Sequence, residues 1–324
     1  MNEKAEGEGS DLHTDTFRFA DTEGRDIFVY RWEPDESEMR SEPKGIVQIA
    51  HGMAETAARY ERLAHKLTEE GYIVYANDHR GHGRTASNPH ELMVVGENGF
   101  ERMTEAMSLL TDRIAADHPG LPVFLFGHSM GSFLAQQYMY RYGSKLRGVI
   151  LSGTSGKQGP LLGLGIKIAE SLCARKGAEH RSELLMGLSL GSYNRVFRPN
   201  RTAFDWLSRD EAEVDKFVQD PLCGALPTAG FFRDMFHCLN DIHQWTHMDR
   251  IPKELPVYIF SGDRDPVGRQ GKGIKQLVKM YKKLGLCDVT WTLYPDGRHE
   301  MLNEINRDEV MRHVVEWLDR KLPQ

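Results

Sequence analysis

A serine stands between two glycines in Gly127-His128-Ser129-Met130-Gly131, directly behind the apolar run of residues 123–126 and ahead of a segment with helical periodicity. This arrangement fits a nucleophile elbow, in which a strained strand-to-helix turn lifts the serine clear of the sheet. Small neighbours are needed there because the strand and helix backbones approach closely. A hydroxyl is a poor nucleophile alone; it needs a base, and the base needs an orienting acid. Downstream, one apolar run, residues 257–262, ends in Asp263-Arg264-Asp265, and the next, residues 289–295, ends in Asp296-Gly297-Arg298-His299-Glu300. Asp265, three residues after Gly262, is the expected acid, and Asp263 is expected to cap the turn or pair with a basic neighbour. Of 14 histidines, His299 has the right place for the base. The chemistry is acyl transfer through a serine ester. Its oxyanion needs preorganised donors. The expected donors are the backbone N–H groups of Met130 and of Met53, in the turn His51-Gly52-Met53-Ala54-Glu55.

The elements that would hold these residues alternate along the chain. Residues 16–32 read as a β-hairpin about Glu23-Gly24. Short apolar runs then alternate with helical patterns, and the later runs are apolar throughout. That predicts a mainly parallel sheet covered on both faces, with its site at the carboxyl ends of the strands. The rhythm breaks between residues 154 and 251, which is too long for a plain loop and has helical stretches of its own. The expectation is a hydrolase-like core of residues 15–153 and 252–324 with a helical cap inserted at 154–251. Residues 1–14 are polar and acidic, without the apolar stretch of a secretory signal, and read as a disordered start. No run of about 18 apolar residues occurs, so no membrane-spanning helix is expected. A cytoplasmic protein is the expectation.

The bulk numbers remove other classes. The chain has 324 residues, 40% hydrophobic and 27% charged, with a net charge of -6. An acidic balance argues against nucleic acid as a partner. Cys173, Cys223, Cys238 and Cys287 form no CxxC pair and read as unpaired thiols. His243 and His247 have the i, i+4 spacing of a helical metal pair, but Gln244 stands where a zinc protease has glutamate, and no third ligand is evident. His51, His79 and His82 read as structural. Residues 268–273 resemble a phosphate loop but lack the hydroxyl residue after the lysine. Gly163-x-Gly165 has neither a preceding strand nor a third glycine. No metal and no organic cofactor is expected.

The stretches HGMAETAARYERLAHKLTEEGYIVYANDHRGHGRT (51–85), GHSMGS (127–132), DPLC (220–223), SGDRDPV (261–267) and GRHEMLNE (297–304) together carry a family likeness. Over about residues 15–322 the chain resembles the monoacylglycerol lipase and lysophospholipase group (serine aminopeptidase S33-like) of the α/β-hydrolase superfamily. The resemblance implies an α/β fold with a mainly parallel eight-stranded sheet, helices on both faces and a helical cap. It assigns Ser129 as nucleophile, Asp265 as acid, His299 as base, and Met53 and Met130 as oxyanion-hole residues. Two positions depart from the family pattern: Ser132 replaces a glycine after the elbow, and Ala54 replaces the second glycine of the first turn. The likeness implies a serine esterase acting on monoacylglycerol or lysophospholipid-type lipids. Leu161, Leu164, Ile168 and Leu172 fall on one side of a cap helix and would line an acyl-chain tunnel, or else pack the cap onto the core. The same stripe suggests a weak peripheral contact of the cap with a membrane. Other readings are a short-chain carboxylesterase, an aminopeptidase using Glu179, Glu183, Glu211 or Glu213 to hold an amine, and a non-catalytic scaffold on the same fold. Loss of activity below about pH 6.5 is expected, because a protonated histidine accepts no proton.

Overall fold

The computed structural model describes residues 13–34 and 42–323. The expected disordered start therefore lies outside the described residues, apart from its last two positions, which belong to the first strand. β1 (His13–Ala20) and β2 (Asp26–Glu33) form the hairpin, turning through Gly24 at φ +79°. β3 (Gly45–Ala50), α1 (Glu61–Glu69), β4 (Tyr72–Asn77), α2 (Gly99–Asp117), β5 (Val123–His128), α3 (Met130–Tyr142) and β6 (Gly148–Ser152) follow. Then come α4 (Leu161–Lys176), α5 (Glu183–Ser189), α6 (Glu211–Gln219), α7 (Ala229–Asp241) and α8 (Trp245–Met248). The chain closes with β7 (Val257–Gly262), α9 (Lys272–Leu284), β8 (Val289–Tyr294) and α10 (Arg307–Asp319).

The eight strands make one sheet in the order β1-β2-β4-β3-β5-β6-β7-β8. β2 runs antiparallel to both β1 and β4, and all other pairs are parallel. Every residue of β3, β4, β5, β6 and β7 is buried. This explains their near-continuous apolar runs, since a strand covered on both faces has no polar side to show. Alternate residues feed opposite layers. Along β5, Val123 and Leu125 join the core beneath α2, α3 and α9, while Phe124 and Phe126 join the core beneath α1 and α10. α9 presents Ile274, Leu277, Val278, Tyr281 and Leu284 at helical spacing and stops at Gly285, whose φ of +89° ends it. Because β5, β7 and β8 are parallel, their following loops emerge at one edge of the sheet, carrying Ser129, Asp265 and His299.

The long connection between β6 and β7 is uneven. α7 is core material: Phe231 and Phe232 are fully buried, and the Phe231 ring meets Phe100 of α2 edge-on at 5.4 Å. Its Asp234 also accepts the Gly99 N–H at 2.7 Å, a free amide at the start of α2, where Asn98 makes no side-chain cap. α4 lies along α7, and near its start Leu161 and Leu164 are 77% and 56% exposed. Among the described residues no helix is long and apolar enough to cross a membrane.

This difference is measurable. Phe231→Ala should cost about 3–5 kcal/mol, as core phenylalanine truncations do. Leu161→Ala should stay within about 0.5 kcal/mol, as exposed positions do. Urea denaturation of both variants checks it; equal costs would mean that α7 is no more part of the core than the start of α4.

Candidate active site

Ser129 sits at φ +51°, ψ -117°, a conformation rare for any residue with a side chain. Such strain costs about 1–3 kcal/mol and persists only where the surroundings impose it. Its N–H donates to Ser152 O at 2.9 Å, tying the turn to β6. The flanking glycines are required by close approach. A Cβ on Gly131 would be driven into the carbonyl of Ala50 and would meet that of His51 at 2.6 Å. A Cβ on Gly127 would meet Gly131 O at 2.5 Å. The neighbouring departure is accommodated, since the buried Ser132 hydroxyl donates to Ser129 O at 2.6 Å.

Asp265 is fully buried and three donors converge on it. Ser261 Oγ donates to Oδ2 at 2.7 Å, Val267 N–H donates to Oδ1 at 2.9 Å, and His299 Nδ1 lies 3.0 Å from Oδ1. With Nδ1 engaged, Nε2 is the ring nitrogen of His299 left outside this bond. The His299 ring is gripped between His128, at 4.8 Å between centroids, and Trp206, at 4.9 Å. Burial pushes the His299 pKa down. The charge and hydrogen bond of Asp265, then Glu300 and Glu55, outweigh burial and hold it above the ordinary value. His128 is equally buried, and burial, followed by the charge of His299, pushes it down to about 3 against the weaker pull of Glu300 and Asp265. Among the described residues Asp263 neither caps nor pairs: its Oδ1 is buried without a partner there. The turn leaves it nothing to do, because the amides of Asp263, Arg264 and Asp265 already donate to the carbonyls of Tyr294, Gly297 and Gly262 at 3.0, 2.9 and 3.2 Å.

The turn after β3 is built around a carboxylate. Glu55 Oε1 accepts the Gly52 N–H and the Tyr60 hydroxyl, the latter at 2.8 Å. Ala54 takes the left-handed conformation at φ +53°, where the family pattern has glycine, and its carbonyl accepts Gly224 N–H at 2.8 Å. Among the described residues the amides of Met53 and Met130 donate to no protein acceptor. Both residues line one cavity together with Ser129 and His299. Arg59 bridges Glu55 and Glu300 immediately beside it. The sequence reading did not single out Ser261, Trp206, Glu55, Arg59 or Glu300. Glu55 and Glu300 lie inside its motifs, but a charge next to a turn reads as solvated.

The cavity measures about 970 Å³ and lies between the strand edge and α4, α5 and α7. Leu161, Leu164 and Ile168 line it. Leu172 does not: it lies further along α4, packed against the hydrophobic core. None of Glu179, Glu183, Glu211 or Glu213 lines it, and Glu213 is taken by Arg62 and Lys216 at 2.8 and 2.9 Å. His243 and His247 do not share a helix, because α7 ends at Asp241 and α8 begins at Trp245. His243 Nδ1 is 3.2 Å from Leu239 O, and His247 stacks on Tyr140. Among the described residues no group of three His, Cys, Asp or Glu is arranged to hold a metal ion. The four cysteines are free thiols.

Gly131→Ala should destabilise the protein by about 3 kcal/mol or more, because backbone carbonyls cannot give way. Ser132→Gly, which loses one hydrogen bond and some helix propensity, should cost less than about 2 kcal/mol. Denaturant midpoints of the two variants check the ordering; a tolerated Gly131→Ala would contradict the close approach.

Residues 41–306 match the family model described as serine aminopeptidase, S33. The chain is 30% identical to a monoacylglycerol lipase of Mycolicibacterium smegmatis over 93% of its own length and 95% of that protein's. It is 26% identical to the monoglyceride lipase of Homo sapiens, covering 95% and 92% of the two chains. A thermostable carboxyl esterase from Bacillus coagulans superposes with a TM-score of 0.87 at 28% identity, covering 94% of this chain and 98% of that one. The chain therefore belongs to the serine aminopeptidase S33 family of the α/β-hydrolase superfamily and is a hydrolase of carboxylic esters, similar to the monoacylglycerol lipases.

Proposed function

We propose that the protein cleaves single-chain lipid esters, monoacylglycerols or lysophospholipids, through a Ser129–His299–Asp265 triad, in the cytoplasm. One observation carries the reading. A strained serine and a buried imidazole–carboxylate pair open onto the same cavity, whose walls include Leu161, Leu164, Ile168, Met186, Met235 and Phe236. Its volume of about 970 Å³ lies at the upper end for small-molecule sites, and its walls suit an acyl chain. The names of the mycobacterial and human relatives agree with such a substrate. The free cysteines suit a reducing compartment.

In this mechanism His299 Nε2 takes the proton of Ser129 as Oγ attacks the ester carbonyl. The Met53 and Met130 amides hold the oxyanion, each worth roughly 2.7–4 kcal/mol of barrier. Collapse breaks the ester C–O bond, and the alcohol leaves with the proton from His299. Water, deprotonated by His299, then attacks the acyl-enzyme and releases the fatty acid and Ser129. Asp265 holds the tautomer and stabilises the imidazolium throughout. No cap glutamate reaches the cavity, which disfavours recognition of a substrate amine.

Ser129→Ala should lower kcat roughly 10⁶-fold with the fold unchanged. Rates from acetyl to oleoyl esters should peak at medium or long chains. A peak at acetyl or butyryl would replace the lipase reading with a short-chain esterase. The acid limb of kcat/KM reports the free enzyme's base. Since the His299 pKa is raised, the neutral imidazole is lost earlier as pH falls, and the limb should lie above pH 6.5 rather than at it. A rate flat to pH 4 would remove His299 as base. Leu161, Leu164 and Leu188 are exposed at the cavity, with Leu184 beside them on α5, and they suit contact with a lipid surface. Leu161→Ser with Leu164→Ser should slow hydrolysis of monooleoylglycerol in vesicles while sparing a soluble butyryl ester. Equal loss on both would confine these leucines to the pocket.

A further inference from the structure

Beside the triad lies a second set of buried charges that the mechanism does not use. Arg59 follows the oxyanion turn by four residues. It donates two hydrogen bonds to Glu300, to Oε1 at 2.8 Å and to Oε2 at 2.6 Å, and its Nη1 also meets Glu55 Oε2. Glu55 and Glu300 are both buried, and Phe217 of α6 covers the guanidinium at 4.9 Å. Asn303 Nδ2 donates to Glu300 Oε2 at 2.9 Å, and the Glu300 amide donates to Leu207 O at 2.7 Å. The two carboxylates end at different functional groups. Glu55 receives the amide of Gly52, the residue before Met53, and a Cβ at Gly52 would lie 2.6 Å from that carboxylate oxygen. Glu300 is the residue after His299.

We propose that Glu55, Arg59 and Glu300 form a positioning clamp that fixes the oxyanion donor of Met53 relative to His299, with Glu300 as its anchor on the histidine loop. The inference rests on the reading of His299 as base and Met53 N–H as donor. A salt-bridged trio is not needed for stability, since apolar residues of similar volume often serve as well. What it supplies is geometry. The planar fork of arginine holds Glu300 by two parallel bonds, and its remaining reach holds Glu55, so neither loop moves without the other. A donor misplaced by a fraction of an ångström stabilises the transition state poorly.

The clamp also sets the charge that His299 meets. The groups facing it are Asp265 after β7, His128 after β5, Glu300 on its own loop, and Glu55 and Arg59 from the segment after β3. His128 is neutral, and Trp206 from the cap carries no charge. Tyr193, which lies toward Asp265, is held neutral by burial and that carboxylate, its pKa pushed up to about 12. Arg298, on the same loop, is committed to the cap, where it donates to Ser208 O at 3.0 Å. Glu55 and Glu300 against one Arg59 leave an excess of one negative charge near the imidazole. Removing Glu300's charge cancels that excess and makes the histidine easier to deprotonate.

The test is Glu300→Gln, which keeps the shape and the Asn303 contact, together with Arg59→Lys and the double variant. Active sites are counted by a fluorophosphonate burst, so that misfolded protein does not enter kcat. On a soluble ester, Glu300→Gln should lower kcat per titrated site roughly tenfold with KM little changed, since the loss is in transition-state geometry. Its acid limb should move down by about half a pH unit. Arg59→Lys should lose a similar factor, and the double variant should be no worse than the poorer single one, because the residues act as one unit. A Glu300→Gln enzyme within about twofold of the parent per titrated site, with its acid limb unmoved, would overturn the clamp and leave the cluster a packing feature. A parent without an acid limb, or an active Ser129→Ala, would instead bring down the reading beneath it, whatever Glu300→Gln does.

Discussion

At Gly131 the first turn of α3 rests directly on the carbonyls at the end of β3, with no room for a methyl group between them. That contact fixes where the serine stands relative to the turn that follows β3, since Ser129 is two residues before Gly131 and Met53 is two residues after His51. The parallel sheet does the rest. β5, β6, β7 and β8 are consecutive neighbours, spaced by about 4.8 Å, so loops leaving their carboxyl ends converge over a short arc. The serine, acid and histidine come from distant parts of the chain, yet their spacing is set by backbone ladders rather than by flexible side chains.

Burial alone would make this edge a poor place for an ionisable base. His128 and His299 show what decides the matter. Their rings are 4.8 Å apart and both are buried, but only His299 has a carboxylate bonded to its Nδ1, whereas the Nδ1 of His128 meets Ser152 Oγ and the pull of Glu300 and Asp265 on it is weaker than the burial that opposes it. One imidazole is therefore pushed far below the ordinary histidine value, and its neighbour is held above that value. The neutral ring can pack against His299 without competing with it for a proton. His51, His79 and His82 follow the same rule as His128: burial, the leading influence on each, pushes all three down, and their rings cluster 4.4–6.5 Å apart as packing groups.

What is legible in the sequence is what a periodic pattern or a chain break announces. β5 and β7 read as apolar runs, and β3 as one broken by the buried Gln48, because both of their faces are covered; Ser129 and Asp265 stand out because each follows such a run, and His299 because it follows the partly exposed β8. What is not legible depends on contacts between distant segments. α7 reads as part of an insertion because its position in the chain says nothing of Phe231 meeting Phe100. His243 and His247 have helical spacing, yet the helix stops before them. Leu161 and Leu172 share a stripe, but about 16 Å of helix separates them at 1.5 Å per residue, and the cavity ends before the second. Arg59, Glu55 and Glu300 look like three solvated charges until the fold brings residues 241 positions apart within a hydrogen bond.

The long connection between β6 and β7 is held unevenly. Residues 205–209 are fastened to the histidine loop by polar bonds. Fully buried Glu304 accepts from the amides of Arg209 and Arg298 at 3.1 and 2.9 Å and from Arg209 Nε at 2.8 Å, and Ser208 Oγ donates to Asn303 O at 2.7 Å. Lifting this segment would strand a buried carboxylate, at about 1–3 kcal/mol or more for each partner lost, and would take Trp206 off His299. α4 has no comparable fastening: Ala169 is its one fully buried residue, and the ion pair from Glu170 to His237 lies exposed. The cavity wall formed by α4 is therefore the loosely held one, while the wall that carries Trp206 against His299 is fastened by buried polar bonds.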